Sequence, residues 1–110
     1  MRYLMIDDLS REERVVVENF LRRNATPGPI DNLFWLRVPD ELLEAIQREH
    51  QGCGPFFFGI ELQDESVAFE LLVRSQTTLH CQCIAYASAA QRAFMLAFVD
   101  RLTTEERLRA

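Results

Sequence analysis

The chain contains no lysine. All 12 basic residues are arginine, set against 17 acidic ones, for a net charge of −5. Nucleic acid is bound through a cationic footprint, so the acidic balance argues against it as a partner. It argues equally against an anionic membrane surface. No run of 18 apolar residues occurs, and no membrane span is expected. No succession of charged, apolar and small residues opens the chain, so no signal peptide is expected either. Cysteine is scarce, at three, and the number is odd. With a cytoplasmic location expected, this argues against a disulfide framework and for reduced thiols. Internal repeats, low-complexity segments and phosphate-cradling glycine motifs are all missing, and nothing calls for a cofactor.

What remains is a globular composition, 48% apolar in 110 residues, which suits a single domain spanning the whole chain. Its organising stretch runs from about residue 56 to 86. Three segments there, FFFGIELQ, SVAFELLVRS and TLHCQCIAYA, alternate as strands do. Phe56, Phe58, Ile60 and Leu62 share one face of the first, Val67, Phe69, Leu71 and Val73 one face of the second, and Leu79, Cys81, Cys83 and Ala85 one face of the third. A tight turn at Asp64-Glu65 sets Ile60 opposite Phe69 and Phe58 opposite Leu71, so both apolar rows meet one core. A three-residue loop at Ser75-Gln76-Thr77 then brings Cys81 beside Leu71 and Cys83 beside Phe69. The opposite face is mixed, with Phe57, Glu61, Glu70, Arg74 and His80.

Around this antiparallel meander the spacing predicts one further strand at about 33–38 and helices at about 11–23, 41–51 and 89–102, packed on the sheet in an α+β fold. The first and last helices open on capping boxes, Ser10 with Glu13 and Ser88 with Gln91. Met1–Leu9 is expected as a short edge strand or arm. Pro27, Gly28 and Pro29 interrupt regular structure after the first helix.

Two constellations carry possible chemistry. His50, Cys53, Cys81 and Cys83 have the donors of a tetrahedral zinc site. In an extended meander, however, Cys53 would lie more than 15 Å from the other two thiols at about 3.3 Å per residue. The spacing therefore predicts no zinc there and leaves the thiols as small buried hydrophobes. Glu61, Glu70 and His80 share the mixed face, where an imidazole beside a carboxylate can do acid–base work, although a solvated charge pair is the plainer role.

The last helix carries seven apolar residues in a row, Ala93–Val99. Ala90, Phe94, Ala97, Phe98 and Leu102 fill a stripe against the sheet, which leaves Met95, Leu96 and Val99 as a surplus patch. The expectation that follows is a non-enzymatic protein-interaction module, homodimeric through that patch. The alternatives are a thiol-based redox or metal sensor using Cys81 and Cys83 with His50 and Cys53, and a small enzyme built around Glu61, Glu70 and His80.

Overall fold

A computed structural model describes all 110 residues. It is an α+β fold: one antiparallel sheet of six strands with helices laid against it. The strands are β1 (Tyr3–Ile6), β2 (Thr26–Pro27), β3 (Leu33–Arg37), β4 (Phe56–Leu62), β5 (Val67–Ser75) and β6 (Ala85–Tyr86). The helices are α1 (Arg11–Asn24), α2 (Ala45–Glu49) and α3 (Ala89–Glu105). No helix is long and apolar enough to cross a membrane.

The sheet runs β1-β5-β4-β3-β2, and β6 joins β5 on the edge that β1 also uses. β3, β4 and β5 alternate as the sequence requires: Phe34, Leu36, Phe56, Phe58, Ile60, Leu62, Val67, Phe69 and Val73 are buried on one face. α1 and α3 cover that face. Phe98 meets Phe20 and Phe69 edge-on at 5.5 and 6.4 Å, and Phe94 stacks on Phe58 at 6.5 Å. Both expected capping boxes are present, with Glu13 N–H donating to Ser10 Oγ and Gln91 N–H to Ser88 Oγ. The middle helix is the most altered. The span 41–51 holds a 3-10 turn at Asp40–Leu42, the five residues of α2, and the start of a second 3-10 turn at Gln51–Cys53.

The β4–β5 hairpin keeps the expected turn and the Ile60–Phe69 pair, but Phe58 faces Val73 instead of Leu71. Glu70, Leu71 and Leu72 oppose the single residue Gly59, a bulge of two extra residues. An even insertion preserves the facing of the side chains, so Val73 stays in the core. Glu70 and Arg74 form an ion pair at 3.0 Å. Four residues of regular strand would hold them about 13 Å apart, so the pair requires the shortening that the bulge supplies. Gly59 leaves room for it, since a Cβ there would collide with Glu70 Oε1.

The third strand of the meander keeps its place in the order but shrinks to two residues. Leu72 faces Tyr86 and Val73 faces Ala85, six residues out of the expected register. β1 accounts for this. It pairs with Val67–Glu70 and occupies the half of the β5 edge that residues 82–85 would need in that register. The pairing shifts as a whole, and residues 76–84 form a loop instead.

The surplus patch on α3 is largely absorbed. Gln91, Met95, Phe98 and Leu102 form the buried stripe, and Phe94 and Val99 flank it. Met95 is 0% exposed, so it cannot belong to an interface between folded subunits. Of Met95, Leu96 and Val99, only Leu96 is well exposed, at 51%. The helix is turned relative to expectation because Gln91, a polar residue, heads the buried stripe.

Candidate metal centre

The loop that replaces the long third strand brings the three cysteines together. Cys53 sits at the end of the 3-10 turn that follows α2. The start of the loop is tied to that segment by Thr77 Oγ1 donating to Gly52 O at 3.0 Å, Gln76 N–H donating to Pro55 O at 3.1 Å, and Ser75 Oγ donating to Cys53 O. Further on the chain reverses tightly, with Ile84 N–H donating to Cys81 O at 3.0 Å. This carries Cys81 and Cys83 back over Cys53. The three Sγ atoms lie within 4.8 Å of one another, and the Cys53 and Cys81 sulfurs are 3.9 Å apart. The separation of more than 15 Å expected from an extended strand does not hold, because residues 78–84 are not extended.

The three thiols have different environments. Cys83 is fully buried, and Cys53 and Cys81 are half-buried. Burial pushes the Cys83 thiol up to about 12, with the neighbouring Cys81 and Cys53 sulfurs acting in the same sense. Cys81 is lowered from its ordinary value, chiefly by the backbone N–H of Cys83 directed at its sulfur. The Cys83 and Cys53 thiols and the charge of His50 add to that effect. The Cys81 thiol is thus shifted down and its buried neighbour Cys83 up, because hydrogen-bond donors reach the first while burial and nearby sulfurs act on the second.

A polar spine supports the centre from behind. Gln91 is completely buried; its Nε2 donates to Leu42 O and to Gln47 Oε1, both at 2.9 Å. Gln47, also buried, donates from Nε2 to Cys83 O at 3.4 Å. Its Oε1 also accepts the Glu44 N–H that starts α2. The N-terminus of α3 is thereby joined through α2 to the cysteine loop. The capping-box spacing identifies Gln91 from sequence, but its inward contacts depend on tertiary packing and leave no local signature. Replacing Gln91 with Ala removes the side-chain donor to Leu42 O and leaves Gln47 Oε1 with the Glu44 N–H alone, and the expected cost is about 1–3 kcal/mol. Urea unfolding measures it; a loss under about 0.5 kcal/mol would show that the spine is not structural.

The second constellation is not assembled. Glu70 is engaged by Arg74, Glu61 is exposed and takes a 3.5 Å hydrogen bond from Gln63, and His80 is exposed on the loop. No hydrogen bond links any two of these three residues.

The outer sheet face holds a groove of about 630 Å³ that the alternation of residues did not reveal. Trp35 and Phe57 lie on its floor with ring centres 5.8 Å apart, beside the Glu70–Arg74 pair. Trp35 faces this groove because Phe34 and Leu36 take the inward positions of β3. Leu79 and Ile84, from the cysteine loop, line one side. Compared with known proteins, the chain matches no family model, no curated protein and no solved structure.

Proposed function

We propose that the protein is a non-enzymatic, metal-responsive module in which Cys53, Cys81 and Cys83 hold a soft divalent cation of the zinc class. The observation that carries this is the spacing of the sulfurs, all within 4.8 Å of one another. In a tetrahedral site with metal–sulfur bonds of about 2.3 Å, two sulfurs stand about 3.8 Å apart. The Cys53–Cys81 separation of 3.9 Å matches that edge. It is nearly twice the roughly 2.05 Å of a disulfide bond, and three thiols cannot all pair. Thiolate donors select zinc-class and softer cations over magnesium or calcium. A dication also eases the electrostatic conflict of the pocket, since it displaces the thiol protons and offsets two of the three negative charges that replace them. Free thiols this close suit the reducing cytoplasm.

The bound cation would tie the 76–84 loop to the segment after α2. That loop lines the outer groove with Leu79 and Ile84, so occupancy would be felt on a surface fit for a protein partner. The test is metal content. Protein purified without a metal-binding tag should carry about one zinc per chain, and Cys81→Ser should lose it while remaining folded. A metal-free wild type that also takes up no added zinc would overturn the proposal.

Self-association remains a second proposal, moved to another surface. β1 and β6 form a free sheet edge on which Tyr3, Met5 and Tyr86 are exposed. An unpaired edge flanked by large apolar side chains invites strand pairing with a second copy. Light scattering at tens of micromolar that shows only monomer would exclude it.

A further inference from the structure

Three thiolates leave one vertex of a tetrahedron open. The geometry points to His50, through Nε2, as the fourth ligand, making the centre a three-sulfur, one-nitrogen site. This assignment rests on the three-thiolate proposal above.

Two observations converge on His50. It immediately precedes the 3-10 turn Gln51–Cys53, closed by Cys53 N–H donating to His50 O at 2.8 Å. That hydrogen bond folds the chain back on itself, so His50 and Cys53 are held at the two ends of one tight turn. The ring is also oriented. His50 Nδ1 lies 2.6 Å from Ile46 O, a carbonyl that can only accept, so Nδ1 carries the proton and donates. In the neutral imidazole Nε2 is then the bare nitrogen, as metal-binding histidines require, with the other ring nitrogen donating to a backbone carbonyl.

His50 lies outside the set of atoms within 4.8 Å of one another, so binding would draw the imidazole inward. The other histidine is a poorer candidate. His80 is exposed, and its backbone N–H is held by Thr78 Oγ1 at 3.3 Å. A site with three thiolates and one imidazole is characteristic of tetrahedral zinc. Without the imidazole, the pocket would suit cations content with three sulfurs.

Cobalt(II) reports both halves of the claim separately, because sulfur-to-metal charge transfer follows the thiolates and the visible ligand-field bands follow the whole donor set. Titrated with Co2+, the full chain should show thiolate charge transfer and tetrahedral ligand-field bands. His50→Ala should keep the charge transfer, shift the ligand-field bands and weaken binding by at least the roughly 10–100-fold typical of losing even an outer partner. Added imidazole should restore the bands. His50→Cys guards against a variant that fails for reasons of folding: it should still bind and acquire a fourth thiolate increment. His80→Ala should behave as wild type. Absence of charge transfer in the wild type would overturn the three-thiolate proposal itself. Charge transfer with bands and affinity unchanged by His50→Ala, or bands that respond to His80→Ala instead, would overturn only the assignment of His50.

Discussion

Zinc added to the metal-free protein at roughly a thousandfold excess over Kd should raise its stability by about 4 kcal/mol. For a chain of 110 residues that is an increase in Tm on the order of 15 °C. The effect follows from mass action, because the folded chain gathers three sulfurs within 4.8 Å and the unfolded chain scatters them. Magnesium should give no comparable shift, since it prefers oxygen ligands. Cys83→Ser should remove most of the zinc effect, because it deletes the buried member of the set. Differential scanning fluorimetry with and without zinc measures this. A Tm that does not move with zinc would mean that the thiols are packing groups only.

The second large effect belongs to the core. Phe69 is fully buried on β5, faces Ile60 across the hairpin and meets the edge of Phe98 from α3. Its replacement by Ala should cost about 3–5 kcal/mol, through lost burial and the cavity left where sheet and helix meet. Urea unfolding gives the value. A cost under about 1 kcal/mol would place Phe69 outside the core and with it reject the packing of α3 on the sheet.

These two predictions differ in how far the sequence alone supports them. Phe69 was legible, because its contacts follow from alternation along β5 and a tight turn at Asp64-Glu65, both local features. The capping boxes at Ser10 and Ser88 were legible for the same reason: each is a hydrogen-bond exchange within four residues. The metal centre was not. The segment TLHCQCIAYA alternates like a strand, and on that pattern Cys81 and Cys83 belong far from Cys53. Two non-local events decide otherwise. β1, from the far end of the chain, takes the β5 edge at Val67–Glu70, and the Glu70–Leu72 bulge interrupts what is left of it. Denied a partner, residues 76–84 loop back to the segment after α2. The His-x-x-Cys and Cys-x-Cys spacings were visible as donors throughout, but only the competition for one sheet edge shows that they converge.

Met95 illustrates the same limit in a helix. Counting apolar positions on α3 shows more than one stripe can hold, but not which residues lie inward. That is decided by Gln91, whose amide is drawn inward by Leu42 and Gln47 and sets the rotation of everything that follows.

The central claim is that three cysteine sulfurs and one imidazole nitrogen converge on a single cation. X-ray absorption at the zinc edge of the loaded full chain tests it most directly. The predicted shell is three sulfurs at about 2.3 Å and one nitrogen at about 2.0 Å. A shell made only of nitrogen and oxygen atoms would contradict the account.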